Sequence, residues 1–221
     1  MQDHYGRIIN YLRLSIIDRC NLRCFYCTPV QDFVKVPAGE ILRYEELLRL
    51  AAIGIELGLT KIRITGGEPL IRAGVEDFLA ELAALPGLRE VTLITNGLLL
   101  AAKAAALWRA GVRRLNISLD SLKPRRFAQI TGRDAWEKVW EGIEAALALG
   151  FAPVKINCVV LKGINDDELL DFARLTLNLP LEIRFIEFMP IGRSSTWQAD
   201  RFLPIVEVKN RLAQLGPLQP L

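Results

Sequence analysis

The chain has 221 residues, of which 51% are hydrophobic and 24% are charged. This length allows one sizeable domain with a large buried core, and α/β barrels often have it, so we expect a single domain over residues 1–221. A formal net charge of +3, with no basic run interleaved with aromatics, argues against a nucleic-acid partner. No apolar stretch nears the roughly 18 residues that cross a membrane. Since the N-terminus also lacks a secretory pattern, we expect a cytoplasmic protein with no membrane partner.

Short β-rich runs alternate with longer helical patterns along the chain. The predicted strands cover residues 11–17, 61–65, 90–95, 114–120, 154–162 and 182–188. The predicted helices cover residues 44–57, 75–85, 99–110, 135–149 and 166–178, with a last one around 205–215. Because regular alternation of strands and helices builds parallel sheets, the pattern predicts either a doubly wound sheet or a barrel.

Polar and apolar residues alternate within these strands, and this alternation favours the barrel. A parallel strand covered on both faces usually reads as a continuous apolar run. Here the polar face carries cations on four strands, namely Arg13, Arg63, Lys155 and Arg184. Buried cations need water, counter-carboxylates or an anionic ligand. We therefore predict an incomplete (β/α)6 TIM-like barrel, with parallel strands, outer helices and a partly cationic interior. The alternative is that these arginines lie at strand ends and reach solvent.

Three of the four cysteines, Cys20, Cys24 and Cys27, lie within eight residues. They follow the first predicted strand, so they belong at the C-terminal mouth of the barrel, where such folds keep their active sites. Three thiolates can hold three irons of a cubane cluster and leave the fourth iron open to another ligand. A structural zinc site is the alternative, although zinc would need a fourth strong ligand. The single histidine, His4, is remote in sequence, and Cys158 falls on the helix-facing side of its strand, where we interpret it as a core residue.

A second motif, Gly66-Gly67-Glu68-Pro69, ends the second predicted strand. Two glycines let the backbone approach a ligand closely, and Glu68 offers a carboxylate to an amine. Alone, the motif could be an ordinary turn into a helix with an acidic first residue. Together with the cysteine loop, it predicts one site at the mouth of the barrel.

These motifs together resemble those of the radical S-adenosylmethionine superfamily. The resemblance lies in a CxxxCxxC run with an aromatic before its last cysteine, followed by GGEP after the second strand. Within the superfamily, the whole chain is similar to the GTP 3′,8-cyclase (molybdenum cofactor biosynthesis protein A) family of lyases. The similar runs are residues 3–7, 12–15, 18–27, 63–69, 95–97, 116–120, 163–167 and 184–189.

The resemblance implies an enzyme with a barrel of the radical SAM type and two cofactors. Cys20, Cys24 and Cys27 would hold a 4Fe–4S cluster, and its open iron would bind S-adenosylmethionine. The residues expected to contact S-adenosylmethionine are Tyr26, Gly67, Ser118 and Met189, from matching family positions, and Glu68, from its motif. Arg13, Arg63 and Lys155 match the family's GTP contacts, and all three belong to the predicted cationic interior.

The implied reaction needs an external one-electron donor, whose electron would lead to cleavage of S-adenosylmethionine into methionine and a 5′-deoxyadenosyl radical. That radical would convert GTP to (8S)-3′,8-cyclo-7,8-dihydroguanosine 5′-triphosphate, and a homodimer is a further expectation. Two features depart from the family pattern. Ile94 replaces a usual threonine among the GTP contacts, and the cysteines of a second, C-terminal cluster are absent. The alternatives are therefore a different substrate, a truncated chain that binds the cofactors without completing GTP cyclisation, or a non-catalytic, zinc-binding remnant.

Overall fold

Six parallel strands form one sheet in the order of the sequence. The computed structural model of the chain describes residues 2–27, 36–190 and 197–219. The strands are β1 (Tyr11–Ser15), β2 (Lys61–Thr65), β3 (Glu90–Thr95), β4 (Arg114–Ser118), β5 (Val154–Val160) and β6 (Leu181–Glu187). Each strand pairs with the next in parallel, and β1 and β6 are the two edges. The predicted α/β fold with six parallel strands is confirmed, and the sheet is an open barrel.

Seven α-helices connect or follow the strands in the described residues. They are α1 (Tyr44–Glu56), α2 (Val75–Ala83), α3 (Leu100–Arg109), α4 (Pro124–Thr131), α5 (Trp136–Ala148), α6 (Leu169–Asn178) and α7 (Ile205–Leu212). In the same residues, no helix has the length and apolar character needed to cross a membrane.

Helix α4 was not predicted from the sequence. It begins at Pro124, whose missing N–H suits the first turn of a helix, and Arg125 and Arg126 follow at once. Its apolar residues Phe127 and Ile130 are buried, but two such positions are too few to give a helical pattern. This short helix matters because its end contacts the cysteine loop.

Helix α6 begins at Leu169, three residues later than predicted, because the acidic residues before it stabilise a turn instead. The Gly163 N–H donates to Asp166 Oδ1 at 2.7 Å. The buried Glu168 carboxylate accepts from the Ser121 hydroxyl at 2.8 Å and from the Leu122 N–H at 2.6 Å. These carboxylates therefore cap backbone groups of two loops rather than the helix itself.

The hydrophobic core lies between the sheet and the helices, as the strand alternation predicts. Ile62, Ile64, Leu115 and Ile117 are all at most 1% exposed. Cys158 is also buried in this core at 1% exposure, which confirms its interpretation as a core residue. The opposite, polar face of the same strands faces the interior of the open barrel.

Candidate active site

The cysteine loop follows β1 at the C-terminal mouth of the barrel. Cys20 and Cys27 are exposed, Cys24 is half-buried, and all three thiols are free. The end of α4 fixes the loop, since Arg23 N donates to Thr131 O at 2.9 Å and Phe25 N donates to Ile130 O at 3.1 Å. The helix that the sequence did not predict therefore holds the predicted cluster ligands in place.

The two glycines of the second motif allow contact between two backbones. Gly67 N donates to Ile17 O at 2.7 Å, and Glu68 N donates to Arg19 O at 2.8 Å. A Cβ on Gly67 would lie 2.2 Å from Arg19 O, and one on Gly66 would lie 2.4 Å from Ile17 O. The close approach in this structure is therefore to the cysteine loop, and the expected approach to a ligand stays a prediction.

The carboxylate of Glu68 is buried and hydrogen-bonded to neighbouring loops. Glu68 is 1% exposed. Its carboxylate accepts hydrogen bonds from Leu70 N at 3.0 Å, Thr95 Oγ1 at 2.8 Å and Asn96 N at 2.7 Å. Burial raises the pKa of Glu68, whereas these hydrogen bonds lower it. The carboxylate oxygens fix the loop after β3, and the interpretation of Glu68 as a carboxylate offered to an amine stays a prediction.

All three loop thiols have pKa values above the ordinary range of a cysteine. Burial is the main cause that raises the pKa of Cys20, Cys24 and Cys27, and the nearby Asp120 carboxylate raises the pKa of Cys24 further. Within the described ranges, no three His, Cys, Asp or Glu side chains converge as ligands of a single metal ion. A cubane cluster binds each thiolate through a different iron, so its cysteines need not converge on one point.

A tyrosine–aspartate pair connects the cysteine loop to β4 and β5. The Tyr26 hydroxyl donates to Asp120 Oδ2 at 2.6 Å, and Val159 N donates to Asp120 Oδ1 at 2.8 Å. Burial raises the pKa of Asp120 to about 6, although both hydrogen bonds oppose this shift. This contact joins residues 94 positions apart, so no local sequence pattern indicates it.

One large cavity of about 1210 Å³ runs from the mouth into the barrel. Its lining includes Tyr26, Cys27 and Ser118 at the mouth, and Arg13, Arg63 and Ile94 deeper in the barrel. A smaller cavity of about 340 Å³ shares Arg63, Asn116 and Arg184 with the first and adds Lys61, Arg114 and Lys155. The predicted site residues that line neither cavity are Cys20, Cys24, Gly67, Glu68 and Met189.

The interior cations differ in their partners. Lys155 pairs with Glu182, and Arg114 pairs with Glu90 at 3.0 Å. Among the described residues, the Arg13 side chain donates only to the Thr65 hydroxyl, at 3.5 Å. The Arg63 guanidinium lies over the Tyr11 ring at 5.0 Å from its centroid, and its buried Nε has no hydrogen-bond partner within the described part of the chain. Counter-carboxylates therefore satisfy part of the cationic interior, and Arg63 is left with a free donor.

Several solved structures share this fold at low sequence identity. SuiB of Streptococcus suis, solved with S-adenosylmethionine bound, matches with a TM-score of 0.74 and 14% identity, over 93% of this chain and 46% of that one. Native anSMEcpe with bound AdoMet matches with a TM-score of 0.69 and 20% identity, over 93% of this chain and 59% of that one. At these identities the similarity establishes the fold alone.

Sequence comparison establishes the family. The Radical SAM superfamily profile matches residues 14–176. The GTP 3′,8-cyclase of Pelotomaculum thermopropionicum is 50% identical over 100% of this chain and 68% of its own length. The GTP 3′,8-cyclase of Geobacter sulfurreducens is 52% identical over 99% of this chain and 67% of its own length. The chain therefore belongs to the Radical SAM superfamily and, within it, to the GTP 3′,8-cyclase family.

Proposed function

We propose that the chain is a radical S-adenosylmethionine enzyme that cyclises GTP by joining C3′ of the ribose to C8 of the guanine in molybdenum cofactor biosynthesis. The observation that carries this proposal is the shared cavity, because Cys27 at the mouth and Arg13 and Arg63 inside the barrel line one space. A volume of about 1210 Å³ exceeds that of most drug-sized ligand pockets, so a nucleotide and a cofactor can fit together.

Cys20, Cys24 and Cys27 would hold the 4Fe–4S cluster. Three free thiols on one loop match the donor set of such a cluster with one iron left open. Their raised pKa values are no obstacle, because a bound metal deprotonates a coordinating thiol outright. When bound, the cluster and S-adenosylmethionine would together supply a 5′-deoxyadenosyl radical for hydrogen abstraction.

S-adenosylmethionine would lie between the cysteine loop and the ends of the strands. Tyr26 and Ser118 line the cavity there, and Met189, at 48% exposure, is open to a ligand just beyond β6. The Tyr26 hydroxyl already donates to Asp120, so we assign the contact to its ring and backbone. Gly67 and Glu68 would act by fixing the loop that faces the cofactor.

The triphosphate of GTP would bind the interior cations. In the part of the chain that the structure describes, Arg63 Nε has no partner, and Arg13 makes one long hydrogen bond, to Thr65. Lys155 would have to exchange Glu182 for a phosphate, which is a stronger acceptor with more charge. The chain's own contribution to the reaction would be to position C3′ near the mouth and to exclude water.

Anaerobic reconstitution with iron and sulfide tests the proposal. We expect about four irons per chain in a single cluster, and reductive cleavage of S-adenosylmethionine to 5′-deoxyadenosine. Cys24→Ser should abolish iron uptake, whereas the matched control Cys158→Ser removes a buried cysteine outside the loop and should retain it.

GTP carrying deuterium at C3′ tests the substrate. Transfer of deuterium into 5′-deoxyadenosine, with formation of the cyclised nucleotide, would support the cyclase activity. Cleavage of S-adenosylmethionine without deuterium transfer would indicate a different substrate or incomplete cyclisation. Tight zinc binding with no cleavage would overturn the radical chemistry itself.

A further inference from the structure

An asparagine that follows β3 donates a hydrogen bond to the first cysteine of the loop. Asn96 Nδ2 lies 3.7 Å from Cys20 Sγ, which is a hydrogen-bond distance for the large sulfur atom. The backbone N–H of Leu22 lies 3.4 Å from the same sulfur. Within the described residues, Cys20 is the one loop cysteine whose sulfur accepts from a side-chain amide. The predicted cluster ligands are therefore not equivalent in their surroundings.

The orientation of the Asn96 amide is fixed by its other contacts. Leu98 N donates to Asn96 Oδ1 at 3.1 Å, and the second Nδ2 hydrogen is donated to Asn21 Oδ1 at 2.7 Å. Only the amide oxygen can accept from a backbone N–H, so the NH₂ group must face Cys20. Both amide hydrogens thus have acceptors, one of which is the sulfur.

Glu68 holds this asparagine in position. Its carboxylate accepts from Asn96 N at 2.7 Å and from Thr95 Oγ1 at 2.8 Å, and Thr95 Oγ1 in turn accepts from Gly97 N at 3.1 Å. Asn96 is 8% exposed, so water competes little for its amide. A buried network therefore leads from the Gly66-Gly67-Glu68-Pro69 motif to the sulfur of Cys20.

We propose that Asn96 is a positioning residue that raises the reduction potential of the cluster that Cys20 would bind. This inference rests on the proposed function. A one-electron reduction adds negative charge that the thiolate sulfurs share, so a hydrogen bond to a sulfur stabilises the reduced cluster more than the oxidised one. The electron comes from an external one-electron donor, and no bond is broken in this step. Asn96 would thus ease the electron transfer that precedes the radical chemistry.

A redox titration of reconstituted Asn96→Ser, followed by electron paramagnetic resonance, tests the inference. A serine hydroxyl can still accept from Leu98 N in the same turn, so the loop keeps its geometry while the amide donor is lost. We expect iron uptake to be unchanged and the ratio of reduced to oxidised cluster at a fixed potential to fall by up to about tenfold, which is 59 mV for one electron.

A matched control is available at Asn165. Its Nδ2 lies 3.8 Å from Cys158 Sγ, so Asn165→Ser removes a buried amide beside a cysteine outside the loop and should leave the potential unchanged. Equal potentials in Asn96→Ser and the unsubstituted chain would overturn the inference alone. No iron uptake in the unsubstituted chain would overturn the proposed function and the inference with it.

A second measurement needs no substitution. Pulsed electron paramagnetic resonance on the unsubstituted chain, with ¹⁵N in its asparagine side-chain amides, should detect coupling between a side-chain nitrogen and the reduced cluster. If Asn96→Ser fails to fold or to bind iron, this coupling decides the question, and its absence would overturn the inference.

Discussion

The mouth of the barrel and its lumen differ in how fully the protein hydrogen-bonds their charged side chains. The mouth consists of residues 16–27, 66–71 and 95–98, and its carboxylate Glu68 accepts three hydrogen bonds from the protein itself. The lumen consists of the inward side chains of β1 to β6. There, Arg63 Nε is buried with no partner among the described residues, and Arg13 donates to the Thr65 hydroxyl at 3.5 Å. Among the described residues, Glu68 of the mouth is fully hydrogen-bonded, although Asp18 Oδ1 nearby is buried without a partner, and in the lumen the unpartnered buried atom is the donor Arg63 Nε.

This difference in hydrogen bonding separates residues that stabilise the site from residues whose donors are free to bind a ligand. A buried group that is fully hydrogen-bonded stabilises the fold, and its removal leaves its partners unsatisfied. A buried donor without a partner costs stability until a ligand accepts from it. Substitutions in the two regions should therefore change the free energy of unfolding in opposite directions.

Gly67→Ala should have the largest effect. The new Cβ would lie 2.2 Å from Arg19 O, 2.5 Å from Arg19 C and 2.9 Å from Asp18 O, and these backbone atoms cannot move without shifting the cysteine loop. We expect the free energy of unfolding to fall by about 3 kcal/mol or more, together with a loss of iron uptake. Urea denaturation of the metal-free chain measures the first effect.

Gly39→Ala is the matched control, because among the described residues, its chain neighbours aside, no atom lies within 4 Å of the added Cβ. We expect its free energy of unfolding to stay within about 0.5 kcal/mol of the parent value. Equal stability of the two variants would show that the mouth is not held by the contact between the two backbones.

Asp120 lies where the two regions meet, and it should make stability depend on pH. Its pKa rises from an ordinary 3.8 to about 6 through burial, so the folded chain binds this proton more tightly than the unfolded chain does. The contribution of Asp120 to stability is therefore fully present below about pH 4 and is lost as pH rises to about 6, by on the order of 3 kcal/mol. Asp120→Asn should remove this contribution.

Urea denaturation of the metal-free chain at several pH values between about 4 and 7 measures the difference between Asp120 and its asparagine variant. The parent chain should lose stability relative to Asp120→Asn across this window. Parallel pH curves for the two proteins would mean that the carboxylate is solvated or better compensated than its two hydrogen bonds, from Tyr26 and Val159, suggest.

The sequence predicts which side chains face the lumen better than it predicts the contacts within the mouth. The inward cations follow from the two-residue period of a strand, so Arg13, Arg63 and Arg184 could be assigned to the lumen from alternation alone. The roles of Gly67 and Glu68 could not, because their contacts to Arg19 and Asn96 are set by how distant loops meet. The motif was recognisable, and its contact with a ligand stays a prediction, but its contacts with the protein could not be read from the sequence.

The two features missed outright have a common cause. Helix α4 (Pro124–Thr131) has only two apolar core positions, and Asn96 stood in a recognised run without any sign of its neighbour Cys20. Periodicity detects faces that repeat over several turns, and it cannot detect single long-range polar contacts.

Arg63→Met should have the smallest effect, and its sign separates the two regions. The substitution removes a buried Nε that has no partner among the described residues. It also removes a cation–π contact with Tyr11, which is worth about 0.5–1 kcal/mol. Because an unsatisfied buried donor costs about 1–3 kcal/mol, we expect the free energy of unfolding of the metal-free chain to rise by about 1 kcal/mol. GTP affinity, measured by calorimetry, should fall.

Arg114→Met is the control, since Arg114 is paired with Glu90 and 45% exposed, and its loss should change stability by less than about 1 kcal/mol. If Arg63→Met instead destabilises the chain as strongly as Gly67→Ala, Arg63 builds the barrel in the way that the mouth residues do. The lumen would then not be the region that waits for a ligand.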